Sequence, residues 1–456
     1  MDSSAKTAPD HENMTRQSST SFTGRGSIRY PAPDVARGAM LMLIAVANVP
    51  FWLKLFPNTP ESTTVDQWWV FLRALLIDHR IYPLFSLLFG FGLMFMLRRR
   101  TDAHVSKRTE ELDRNAPGMT PQARASWIAG FTSEAMDDSR KLIRRRGWWM
   151  LLFGLVHSLI FFGDIIGTYG LVAAIFAGTI VQRRWRLMTG VSIGIVLVSC
   201  ALFISQEFAV SALGKSVDNL NTLTSLSWMI SPWFPLVSVG MWVIGTLSTL
   251  AFSMVIPAVF IGVKVGETTL LTHPENHRRF LWSAAVGGLT LGMLGGLPHA
   301  LTEAGFLSAE PFIGAMFLHE FSGIAGAIGW LALFALLAGP ASRALSGWRR
   351  ALSAVGRRSM TAYVGQTVCF AVIFAIAGAA GARGISQAVG AVIGVAVWVL
   401  ILLACVGMDG RGQRRGPLEV LLRSAVARSA SATVLPPIPR TVSSQESEEG
   451  SSIPSL

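Results

Sequence analysis

Apolar residues gather along this chain in runs of roughly twenty, and basic residues stand at the ends of the runs. A membrane crossing needs about 20 apolar residues, so the pattern predicts one helix per run. The most informative run covers residues 147–182, GWWMLLFGLVHSLIFFGDIIGTYGLVAAIFAGTIVQ. Arg144, Arg145 and Arg146 precede it, and Arg183, Arg184 and Arg186 follow. It is too long for one crossing and suits two short ones that turn at Gly163-Asp164. The other spans are predicted over residues 35–53, 80–97, 187–206, 235–263, 280–297, 311–338, 359–381 and 386–407. The Trp-rich segment 65–76 is predicted to lie along the interface, where indole rings settle. The expected fold is therefore all-α, a polytopic membrane bundle of ten transmembrane helices with both termini cytoplasmic.

Between the spans the pattern predicts a polar loop over residues 98–146, a second basic loop over 341–358, and a helix after Gly416-Pro417. Residues 1–30 and 429–456 are rich in Ser, Thr, Pro and charge, and are expected to be a disordered leader and tail. The transmembrane domain is then 31–428. The first apolar run follows a long polar leader, so no cleavable signal peptide is expected.

Composition agrees with a membrane protein. The chain is 51% hydrophobic and 14% charged, with a mean hydropathy of +0.47, whereas soluble domains carry about 25% charged residues. The net charge of +12 invites a nucleic-acid reading. Its placement argues against one, because the basic residues flank apolar runs and set orientation. Of the 39 Lys and Arg, only Lys54, Arg73, Arg80, Lys215 and Arg383 fall on segments assigned to the outer face. Cys200, Cys369 and Cys405 all lie in apolar runs and read as small core residues. Rows of small residues, such as Gly288, Gly292 and Gly296, read as helix-packing seams.

Few polar residues fall inside the spans. An ionisable group in hydrocarbon is costly and marks a cavity or a site by default. His157 is such a group, and a hydrogen-bonded strut is the alternative. Asp164 follows seven residues on, near two helical turns, so both are expected on one face about 10 Å apart. At that distance Asp164 orients the ring only through a bend or a water. In the first span Asp34 and Arg37 mark the cytoplasmic mouth, and Asn48 lies on the same stripe about 16 Å deeper. That stripe suits a ligand with an anionic head and a reactive tail. Equally, Arg37 can reach lipid phosphate and pair with Asp34 while Asn48 bonds a neighbouring helix. His319 and Glu320, His299 and Glu303, and His79 between Asp78 and Arg80 are expected to line an outer vestibule. Their loose spacing predicts no metal site. Tyr363 and Gln366 read as hydrogen-bonding contacts between helices.

Several blocks taken together carry a resemblance: DVARG (34–38) with Asn48, YPLFSLLFGFG (82–92), FGLVH (153–157) with Gly163-Asp164-Ile165, VGR (355–357) with Gln366, and GPLEV (416–420). In this order they resemble the signature blocks of the YeiB family, a bacterial inner-membrane family of unknown function. Its wider kinship is with transmembrane acyltransferases such as heparan-alpha-glucosaminide N-acetyltransferase. The resemblance implies an inner-membrane location and acyl transfer from cytosolic acyl-CoA to an acceptor on the far side. Many relatives carry an Arg at the start of the first span and a His deep within it. Here Arg37 matches the first, and Asn48 stands at the second, as in the glucosaminide enzyme.

On that reading Arg37 and Asp34 are the cofactor-binding residues, and the catalytic ones are His157 as general base, Asp164 orienting its ring and Asn48 donating to the oxyanion. His319 and Glu320 line the substrate vestibule. Acyl-CoA is a cosubstrate, with no tightly bound cofactor, and the bilayer is the principal partner. Two other readings stay open: a proton-coupled transporter using His157, Asp164 and Glu320 as a relay, and a non-catalytic scaffold whose basic loops recruit anionic lipid or protein partners.

Overall fold

The helices begin where the sequence supplies caps. Thr63 and Asp66 form a reciprocal capping box, with Thr63 Oγ1 accepting from Asp66 N at 3.2 Å and the Asp66 carboxylate accepting from Thr63 N at 3.1 Å. Thr120 and Ser386 cap two further helices with their side chains. Two N-termini are closed by carboxylates from elsewhere. Glu207 accepts from the amides of Gly314 and Met316, and Glu419 accepts from Met360 N at 2.7 Å and Thr361 N at 3.1 Å. Negative charge at a helix N-terminus is favourable, and here it also ties distant segments together.

The computed structural model describes residues 30–213 apart from 57 and 59, residues 231–308, residues 312–430 apart from 341, 343 and 344, and residues 437–438. The expected disordered leader, most of the tail and much of the loop before residue 231 lie outside the described residues. The described α-helices are α1 (Pro31–Leu53), α2 (Thr64–Leu76), α3 (Ile81–Asn115), α4 (Pro121–Ser158), α5 (Ile166–Val181), α6 (Trp185–Leu213) and α7 (Phe234–Phe252). They continue with α8 (Val255–Val265), α9 (Arg278–Glu303), α10 (Ala315–Ala338), α11 (Gly347–Gly356), α12 (Ser359–Ala379), α13 (Gln387–Gly410) and α14 (Pro417–Arg428). No strand occurs among the described residues.

Among the described residues, eight stretches are long and apolar enough to cross a bilayer: α1, α2–α3, α6, α7, α9 with its preceding turn, α10, α12 and α13. The expected third and fourth spans are shorter pieces, because α5 has 16 residues and only the end of α4 is apolar. The span expected over 235–263 is broken at Ser253, which is extended at ψ 168°. Pro257 explains the break, since it has no N–H to donate to the carbonyl four residues back. Residues 98–146 are not a loop. They extend α3 to Asn115 and start α4 at Pro121, making a helical hairpin with its own small core of Leu112, Ala116 and Phe131.

Burial separates the centre from the periphery. The most apolar window of α1 is 67% buried and that of α6 only 11%. Leu197, Ile244, Leu291 and Val392 are among many large apolar side chains left on the outer faces of α6, α7, α9 and α13. A soluble domain would not expose so much apolar area, whereas hydrocarbon satisfies it. In the centre α3 and α8 pack backbone to backbone. A Cβ at Gly90 would strike the Val259 carbonyl, and one at Gly262 the Leu87 carbonyl. Such seams let helices approach closely in lipid, where packing replaces the hydrophobic drive. Gly288 and Gly292 play the expected part against α10, while Gly296 faces the Arg80 guanidinium.

Candidate functional site

Two cavities lie inside the bundle. The larger, about 580 Å³, opens among arginines at the start of α1 and midway along α3. Arg37, Arg99, Arg146, Arg357 and Arg423 line it, against two carboxylates, Asp34 and Glu419. Arg37 stands 3.6 Å from Asp34 and donates to the Leu88 carbonyl at 3.4 Å. It therefore makes the expected Asp34 pair and also faces a cavity. Arg357 pairs with Asp409, which Arg350 and Arg358 also approach. Phe85, Phe89 and Phe95 complete an apolar wall.

The second cavity, about 430 Å³, lies towards the other end of α1. Its polar lining is Asn48, Asp78, His79, Tyr82, His299, Glu303 and Tyr363. Arg73 bridges its two carboxylates, bonding Asp78 at 2.8 Å and Glu303 at 2.7 Å. Asn48 thus lines a different cavity from Arg37, whereas the stripe along α1 predicts a site for one continuous ligand. Glu320 and His319 are buried at 2% and 0% exposure and line neither cavity. Glu320 stands behind the wall, bonded to His79 and to the Tyr82 hydroxyl. His319 accepts from Arg80 at 3.0 Å, and its ring lies 4.8 Å from those of His79 and His299. The tautomers of these rings follow from their partners. Arg80, assigned to the outer face by the sequence, is fully buried and donates to the Asp78 and Gly292 carbonyls at 2.6 Å each. Among the described residues no cluster of three or more His, Cys, Asp or Glu side chains forms a metal cradle.

The two cavities meet at one side chain. Tyr363 lines both, and the consecutive residues Ile165 and Ile166 line opposite ones. The septum between them includes the turn joining α4 to α5. There His157 and Asp164 are in direct contact, Nδ1 to Oδ1 at 2.7 Å. The expected 10 Å separation is wrong for a local reason: α4 stops at Ser158, and the turn through Gly163 folds Asp164 back. Gly154 makes this turn fit, since a Cβ there would overlap the Gly167 amide. The second Asp164 oxygen accepts from Gly167 N at 2.7 Å, at the start of α5. His157 Nε2 is buried without a hydrogen-bond partner. Neither residue lines a cavity, but the His157 ring packs 5.3 Å from that of Tyr363, whose hydroxyl donates to the Gly163 carbonyl at 3.3 Å. Tyr169 ties the septum to α3, donating to the Tyr82 carbonyl at 3.0 Å.

Sequence reasoning placed Tyr363 among the packing contacts and did not connect His79 with Glu320, which is 241 residues away. Gln366 does act as a contact between helices, donating to the Leu41 carbonyl at 3.0 Å. No curated protein and no solved structure matches the chain. Residues 265–429, from the turn before α9 through α14, include His319, Glu320 and Tyr363 and match the model of DUF418, a family described only as a protein of unknown function.

Proposed function

We propose that this multi-pass membrane protein crosses the bilayer ten times with both termini in the cytoplasm of a bacterial cell. In this reading it moves an acyl group from cytosolic acyl-CoA to an acceptor on the other side. The observation that carries the reading is the pair of cavities meeting at Tyr363. A reaction between partners from opposite sides needs two approaches and one thin septum. The arginine-lined cavity suits the anionic cofactor, because guanidinium–phosphate contacts are charge-assisted and bidentate. The excess of Lys and Arg at the same end supports a cytoplasmic side for it.

The pantetheine arm would follow the phenylalanine wall to Tyr363. The acceptor would occupy the cavity lined by Asn48 and His79, where the Asn48 amide can donate to the developing oxyanion. Attack needs a proton acceptor. Two histidine–carboxylate pairs are candidates: His157–Asp164, packed against Tyr363, and His79–Glu320, whose imidazole lines the acceptor cavity.

The same two-sided cavity supports a transporter, in which those pairs would relay protons across the septum. Acyl-CoA dependence separates the two. Purified protein in lipid nanodiscs should bind acetyl-CoA by calorimetry, at a site that free coenzyme A competes for. Absence of binding ends the acyl-transfer reading and leaves proton-coupled transport as the account to test.

A further inference from the structure

Resting on the acyl-transfer reading, we propose that His79, held by Glu320, is the group that takes the proton from the acceptor, and that His157–Asp164 acts through Tyr363 as a positioning pair. A base must reach the proton it removes, so geometry comes before any other criterion. His79 lines the acceptor cavity, and His157 lines neither cavity. His79 Nδ1 is bonded to Glu320, and Glu320 is fixed in turn by the Tyr82 hydroxyl. The other ring nitrogen, Nε2, has no hydrogen-bond partner among the described residues. A carboxylate on one imidazole nitrogen sets the tautomer that leaves the other free to accept a proton, and it stabilises the imidazolium that forms.

The backbone holds His79 in place at some cost. Its φ is 57°, in the left-handed region that a non-glycine residue seldom adopts. Its carbonyl lies against Gly323, where any Cβ would overlap it. Gly323 sits one turn beyond Glu320 on α10, so the His79 turn is fixed to α10 through backbone and side chain together. Strain of this kind persists where the surroundings over-determine it.

The step balances as follows. The acceptor oxygen or nitrogen attacks the thioester carbonyl carbon while His79 Nε2 takes its proton. The tetrahedral oxyanion collapses, a C–O or C–N bond replaces the C–S bond, and coenzyme A leaves as thiolate into the arginine-lined cavity. Water there protonates the thiolate, and His79 returns its proton to water on the acceptor side.

The test uses full-length protein in nanodiscs, with acetyl-CoA as donor and ethanolamine as a probe acceptor, following coenzyme A release and acetyl-CoA binding together. His79→Gln should keep acetyl-CoA affinity within about twofold and lose turnover by roughly 10²–10⁴-fold, the usual contribution of general base catalysis. Added imidazole should restore turnover to His79→Ala, which a purely structural histidine would not allow. Glu320→Gln should lower turnover with binding intact. Wild-type binding combined with full turnover in His79→Gln, or failure of imidazole rescue, overturns the base assignment alone. No acetyl-CoA binding by the wild type overturns the acyl-transfer reading as well.

Discussion

At the arginine end of the bundle, five guanidinium groups face a cavity that holds two carboxylates. At the other end, Arg73 bridges Asp78 and Glu303, and Glu320 is satisfied by His79 and Tyr82. The first cavity carries surplus positive charge and a plain apolar wall, so it selects by charge. The second has Asp78, Glu303, His79, Tyr82 and Tyr363 each fixed by a partner from another element, so it selects by geometry. A cavity of the first kind tolerates varied ligand shapes with the same anionic head. A cavity of the second kind positions groups for chemistry, because fixed dipoles need no reorganisation during reaction. On the proposed reading, the contrast gives binding to one end and reaction to the other, with Tyr363 between them.

The largest effect that could break this comparison is all-or-none. With Cys200, Cys369 and Cys405 replaced by alanine, Gly118→Cys in the α3–α4 hairpin should resist an impermeant maleimide in intact cells. Ser62→Cys, exposed before α2, should react completely. Labelling at Gly118→Cys from outside would reverse the orientation and put the arginine-lined cavity on the wrong side for a cytosolic cofactor.

A smaller effect separates the two histidine pairs. His157→Ala leaves the Asp164 carboxylate without its imidazole in a buried site, and breaking a buried pair costs roughly 3–5 kcal/mol. That variant should unfold at markedly lower temperature. His157→Gln keeps a hydrogen-bond donor for Asp164, so it should retain the fold and most of the turnover. Equal and severe loss of turnover in both variants, at matched abundance, would move the proton-transfer role from His79 to His157.

Smaller again is the contribution of one arginine. Arg37→Gln should weaken acetyl-CoA binding about tenfold to a hundredfold, the worth of one charged hydrogen bond. The loss should shrink as salt rises, since screening weakens the contact in the wild type too. An unchanged affinity would remove Arg37 from the cofactor site.

The pattern of apolar runs revealed the helical class because each span is written locally, in about twenty residues. It also pointed to Arg37 and Asn48 as one stripe, but the assembled bundle divides them between two cavities. It misjudged His157 and Asp164 because a helical repeat was assumed across a turn. The break at Ser253 follows from Pro257, a signal present in the sequence that a reading by apolar run length passes over. The His79–Glu320–Tyr82 cluster was beyond reach for another reason. Its members stand on α10 and on the turn into α3, and only tertiary packing joins them. Tyr363 carries no local mark at all. Its importance lies in touching both cavities, a property of the assembled bundle.

The most direct test of two cavities meeting at Tyr363 is a cryo-EM map of the full-length protein in nanodiscs with a non-hydrolysable acetyl-CoA analogue. The account predicts phosphate density beside Arg37, Arg146 and Arg423, with the acetyl end at Tyr363 and no phosphate density in the cavity lined by His79. Phosphate density in the His79 cavity, or a saturated sample with no density among the arginines, would contradict it.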